Sequence, residues 1–198
     1  MHAVRYCPPV LIVALLLAAG CRAAPADGLP QPTAEVRKLL SDRGVEILRN
    51  PTRVEVYRIE SGAELRRAAT RPSTRPTTDP ADVGRYPVIG RGPDRDAAFG
   101  RRLAAVFLDA RTFDFDSAKG CMFTPGVAFR VYAGDAYLDL LLCFSCNEFQ
   151  VLVPAPAAGG TPHRGMEDTD RARPVLVRLA KEALPGDAVI SGLKEVKD

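Results

Sequence analysis

No apolar run in the 198-residue sequence is long enough to span a bilayer; the longest, Val10 to Ala19, is about half of the roughly 20 residues a spanning helix needs. Acidic residues are missing before Asp27. Past residue 20 the chain holds 24 acidic and 26 basic residues, a formal charge near +2, and no basic tract is interleaved with aromatics. No nucleic-acid partner is therefore expected. Histidine is scarce: only His163 follows the first 20 residues, and no Gly-x-Ser-x-Gly elbow occurs, so a serine triad has little to be built from. Gly90-Arg91-Gly92 lacks the third glycine of a dinucleotide loop and no Gly-Lys-Ser/Thr follows, which makes it a turn ahead of a helix rather than a phosphate cradle. Lysine is also rare, five against 22 arginines, a bias of base composition before function.

What is present begins with Arg5, the apolar run, and then Leu15-Leu16-Leu17-Ala18-Ala19-Gly20-Cys21. Small residues stand directly before a cysteine, where a peptidase needs room to cut. The segment resembles a bacterial lipoprotein signal of the signal peptidase II type, with alanine where such signals most often carry leucine. That resemblance implies cleavage after Gly20, a diacylglycerol thioether and an acylated amine on Cys21, and several acyl chains holding the protein on a membrane. It also implies a domain on the extracytoplasmic, periplasmic side of the cell envelope. The segment 21–33 reads as a lipidated tether.

Residues 34–198 are enough for one domain with a real core and too few for two. Flexible insertions are expected near 62–82, where Ala68 to Pro80 has no large apolar residue, and near 154–173, which mixes Pro, Ala, Gly and charge. The remaining periodicities alternate in kind and predict an α+β fold, a small mainly antiparallel sheet with helices packed on one face. Thr33 caps a helix carrying Val36, Leu39 and Leu40. The run Val54 to Ile59 reads as a strand with one wet face, and Tyr86 to Ile89 as another. Pro93 opens a helix with Asp94 and Asp96 in its first turn and Phe99, Leu103, Val106, Phe107 and Ala110 on one face. Pro174 starts a last helix with Leu176, Leu179, Ala180 and Ala183, stopped by Pro185-Gly186.

Cys121 to Val153 reads as a hairpin turning at Gly134-Asp135. Pairing Ala133 with Ala136 sets Val131, Phe129, Val127 and Phe123 against Leu138, Leu140, Leu142 and Cys146 on one apolar face. The same register sets Tyr132 against Tyr137 and Arg130 against Asp139 on the other. A third strand, Phe149 to Val153, returns after a turn near Ser145-Cys146-Asn147.

If the strand stays regular, Cys143 and Cys146 point to opposite faces, and Cys121 lies diagonal to Cys146 within reach of a disulfide. A tight turn over Cys143 to Cys146 would instead bring those two thiols together. Three readings of Cys121, Cys143 and Cys146 stay open: a structural one, either one bridge plus a buried thiol or three reduced core cysteines, a metal site that His163 could complete as Cys3His, and thiol-redox chemistry. No cofactor is expected unless that trio takes zinc. Asp114 and Asp116 read as a wet edge with Phe113 and Phe115 inward, because no third acidic ligand is spaced nearby.

Cys121, Cys-Phe-Ser-Cys, Asn147 and the Leu-Pro-Gly-Asp ending are similar to uncharacterised bacterial proteins, from about Val54 onward; the similarity implies no activity and assigns no catalytic residue. The expectation is a lipid-anchored envelope protein whose partners are the membrane and another envelope protein. Its domain reads as a non-catalytic binding or envelope-maintenance module rather than an enzyme, with a thiol or metal protein as the alternative.

Overall fold

The computed structural model describes residues 28–60, 80–117, 119–157 and 159–196. In chain order its elements are α1 (Ala34–Arg49), β1 (Arg53–Ile59), β2 (Asp82–Val83), β3 (Tyr86–Arg91), β4 (Arg95–Asp96), α2 (Ala97–Phe107), β5 (Val127–Ala133), β6 (Ala136–Cys143), β7 (Glu148–Val153), β8 (His163–Asp168), α3 (Arg173–Ala183) and α4 (Ala188–Ser191). The strands form one antiparallel sheet in the order β2-β3-β1-β5-β6-β7-β8, with β4 also on β1, and the fold is α+β.

The β5–β6 hairpin forms in the expected register, Ala133 opposite Ala136, Val131 opposite Leu138 and Val127 opposite Leu142. Gly134 turns the chain at φ 59°, a left-handed conformation that glycine adopts without steric cost. Alternation then sorts the side chains. Val127, Phe129, Val131, Leu138, Leu140, Leu142, Phe149 and Val151 join the main core with Leu40 and Leu48 of α1, Leu103 and Phe107 of α2, and Leu176 and Ala180 of α3. Phe149 stands 4.9 Å from Phe107 and 5.4 Å from Phe113, ring centroid to centroid, tilted contacts each contributing about 0.5–1.5 kcal/mol beyond area burial. A smaller cluster collects Tyr57, Ile59, Val83, Tyr86, Val88, Ala128, Leu141 and Leu152. Because these residues and their polar neighbours cover the opposite side, β1 has no fully wet face: Tyr57 is buried and Glu55 half-buried.

Four expectations are revised by local chemistry. Phe123 does not pair with Cys146, because Pro125 supplies no amide to a ladder and the strand begins only at Val127; the Phe123 ring packs edge-on against Tyr86 instead. The second helix starts at Ala97 rather than Pro93: residues 95–96 pair with β1, and the Asp96 carboxylate caps the helix by accepting from Phe99 N at 2.9 Å. Ala110 accordingly leaves that helix for a 3-10 turn, Ala110–Thr112. Within 154–173, expected as a flexible insertion, the chain builds edge strand β8 and the 3-10 turn Asp170–Ala172. Gly165 permits this, since any Cβ there would collide with the Leu39 carbonyl of α1.

Thr33 caps α1 as expected, its hydroxyl accepting from Val36 N. The helix kinks at Ser41 (φ 63°), whose hydroxyl accepts from Gly44 N at 3.2 Å and so caps the second half. Ahead of Thr33 the end of the expected tether packs down, with Leu29 5% exposed and Arg49 donating to the Pro30 carbonyl at 3.0 Å. Cys21, the signal segment and most of the insertion near 62–82 lie outside the described residues; Asp82–Val83 forms β2. Among the described residues no helix is long and apolar enough to cross a membrane.

Candidate functional site

The cysteines meet at the end of the sheet where β6 turns into β7. Strand β6 stops at Cys143, residues 144–147 make the turn, and Asn147 closes it at φ 57°, a conformation asparagine tolerates better than most residues. Arg173, at the start of α3, clamps this turn: its guanidinium donates to the carbonyls of Phe144 (2.7 Å) and Lys194 (3.0 Å) and to the Asn147 side-chain oxygen. Asn147 in turn donates to Asp170.

Against this turn lies the extended segment before β5. It brings Cys121 onto Cys146, and the two are joined as a disulfide with Cα atoms 6.1 Å apart, an ordinary span for a bridge. The two sulfurs differ in access, Cys121 being exposed and Cys146 only 3% exposed. Cys143 is free and buried. Its sulfur accepts from Thr124 N at 3.4 Å and lies 3.1 Å from the Ser145 hydroxyl. The chain thus adopts the turn over 144–147 while the bond goes to Cys121.

Glu148 stands beside the bridge. It pairs across the sheet with Cys143 on one side and Asp168 on the other. It is 8% exposed, its Oε2 has no hydrogen-bond partner among the described residues, and a carboxylate oxygen lies within 4.8 Å of both bridge sulfurs. Burial, helped by the nearby negative charges of Asp168 and Glu167 and opposed by Lys119, pushes its carboxyl above the usual range. Lys119 itself spans Asp168 and Asp170 at 2.7 Å each and donates to the Cys146 carbonyl at 2.8 Å. Burial alone would lower its ammonium, and the two carboxylates outweigh that and raise it. A surface depression of 530 Å³ opens onto the group, lined by Lys119, Gly120, Cys121, Ser145, Cys146 and Asp170.

His163 is not gathered here. It pairs with Val153 while Asp168 pairs with Glu148, which puts it roughly 16 Å along the strands from the cysteines by ordinary strand rise. One of its ring nitrogens is hydrogen-bonded to the Leu39 carbonyl at 2.8 Å. Asp114 approaches Arg171 at 3.7 Å, and neither it nor Asp116 belongs to a group of three metal-ligating side chains among the described residues. Phe113 is buried as expected, whereas Phe115 stays 38% exposed against it. Gly90 and Arg91 are in β3 rather than in a loop, and Gly92 packs so closely on the Ala183 carbonyl that a Cβ would collide.

A second polar group lies between β1, β5 and β6. Glu55 accepts from the hydroxyls of Tyr57 (2.6 Å) and Tyr132 (2.9 Å) and from Arg53 (2.5 Å). Arg130 reaches Asp139 through two bonds and stacks over Tyr137, and Arg53 stacks over Tyr132 at 3.4 Å. Each central charge is matched within the sheet, so this network locks strands together.

Glu148, Lys119, Asp168, Asp170 and Arg173 were not singled out from sequence, and Asn147 only as part of the turn and of the similar arrangement. Parity offered a signal for one of them. With Phe149 inward, Glu148 must share the other face with Cys143. Comparison of the chain with protein-family models, with curated proteins and with solved structures gave no match.

Proposed function

We propose that this chain is a lipid-anchored protein of the cell envelope, held to a membrane through Cys21. Its α+β domain, with helices gathered on one face of the sheet, faces the periplasmic side as a non-catalytic binding or envelope-maintenance module. The Leu15 to Cys21 pattern carries this reading. A bridge between Cys121 and Cys146 supports it, because disulfides persist in exported compartments. Metabolic labelling with a palmitate analogue tests it: label and membrane fractionation are expected for the wild type and neither for Cys21→Ala. Equal labelling of both, or of neither, would overturn the anchor.

One observation favours a second reading, thiol-redox or metal chemistry at the cysteines: a buried carboxylate oxygen with no hydrogen-bond partner among the described residues sits beside an accessible bridge. Mild thiol reductant applied to the folded protein tests it. Release of two alkylatable thiols without unfolding is expected, and a bridge that opens only on denaturation would remove this reading.

A further inference from the structure

We infer that reduction of the Cys121–Cys146 bridge uncovers a binding site for a thiophilic divalent cation of the zinc class, with Cys121 and Cys146 as thiolate ligands and Glu148 as the oxygen ligand. The inference rests on the second reading above and is independent of the lipid anchor.

The ligand atoms are already assembled. The two sulfurs and a Glu148 oxygen lie within 4.8 Å of one another, and a tetrahedral cation with bonds of about 2.0–2.3 Å needs only modest separation of the sulfurs once their bond is broken. Backbone geometry holds them there: Glu148 is fixed by ladders on both sides, and the Cys146 turn is clamped by Arg173. Two thiolates and a carboxylate with one open position suit zinc better than magnesium or calcium, which prefer all-oxygen sites.

Glu148 points to a ligand independently of the sulfurs. It is 8% exposed and its Oε2 makes no hydrogen bond among the described residues, although buried polar atoms are nearly always paired. The Lys119 ammonium, held at 2.7 Å by both Asp168 and Asp170, offsets its charge only in part and makes no hydrogen bond to that oxygen among the described residues. The surroundings therefore favour an incoming positive charge. The depression beside Cys121 gives such an ion a path from solvent.

The gating step balances with a dithiol as reductant. The dithiol gives two electrons and two protons and closes its own disulfide, while the Cys121–Cys146 bond breaks and each sulfur takes one proton. Both protons leave when the cation binds.

The test uses the full-length protein, reduced by a phosphine that does not compete for metal, and titrated with zinc and cobalt under native mass spectrometry and absorption. One ion per chain is expected, with thiolate-to-cobalt charge-transfer absorption, no uptake by the oxidised protein, and uptake retained in Cys143→Ser. Glu148→Gln should weaken zinc by about tenfold or more while circular dichroism stays unchanged. If Glu148→Gln does not fold, the cobalt spectrum of the wild type decides, since two thiolates and an oxygen donor differ from three thiolates. Reduction without metal uptake, loss of uptake in Cys143→Ser, or unchanged affinity in Glu148→Gln would overturn the site while leaving thiol chemistry standing. A bridge that resists reduction in the folded state would overturn both.

Discussion

Arg130 and Asp139 face each other across β5 and β6 and share two hydrogen bonds, 2.7 and 3.0 Å, with Asp139 only 4% exposed. Removing one partner leaves a charge buried alone, so Arg130→Met should destabilise the domain by about 3–5 kcal/mol. Adding Asp139→Leu to that variant should recover much of the loss, because two apolar residues leave nothing unpaired. Urea unfolding of the two single variants and the double variant measures this directly. Additive losses would mean the pair is not coupled.

Acid should loosen the sheet partly through Glu55. Burial raises its carboxyl, but hydrogen bonds from Tyr57, Arg53 and Tyr132 outweigh this and hold it below 4.5. Since the folded value lies under the unfolded one, Glu55 adds stability above about pH 4.5 and this contribution fades as pH falls through the folded value. The stability gap between wild type and Glu55→Gln should therefore be full at neutral pH and narrow on acidification. A gap constant with pH would contradict the assignment.

The bridge closes a loop between residues 25 apart, which in the chain-entropy account stabilises the fold by about 3.5 kcal/mol. In a Cys143→Ser background, which blocks re-pairing, Cys121→Ser and Cys146→Ser should each lose that amount. The combined variant should lose no more. Chemical unfolding without reductant checks whether the losses match.

Arg173→Met withdraws donors from the Phe144 carbonyl, the Lys194 carbonyl and the Asn147 side chain at once. A loss of about 1.5–3 kcal/mol is expected, with faster amide exchange over residues 144–147. Arg173→Lys should rescue little, because one ammonium cannot span acceptors that a planar guanidinium reaches together. Full rescue by lysine would show that charge alone matters there.

How far the sequence revealed this arrangement depended on whether local signals agreed. Gly134-Asp135 and the match of Arg130 to Asp139 specified one register, since a slip by one residue would reverse every side chain, and the hairpin formed as read. Where one residue breaks a pattern, the reading failed: Pro125 ends the ladder, and Asp96 rather than Pro93 sets the start of α2. β8 was illegible because an edge strand with little apolar alternation looks like a loop. At the site, Cys121 and Cys146 pair as expected although the regular strand that suggested it does not form, since β6 stops at Cys143 and β5 begins at Val127; Glu148 and Lys119 matter only through neighbours distant in sequence.

The makeup of β8 also bears on how copies of this domain behave at high concentration. Among the described residues the sheet ends on one side in the two-residue β2 and on the other in β8, whose exposed Arg164 and half-buried Glu167 put charge along the outermost strand. A short edge and a charged one are both poor templates for another chain to join. The fold thereby discourages strand-by-strand polymerisation, and neutralising those charges would be the shortest route to an aggregating variant.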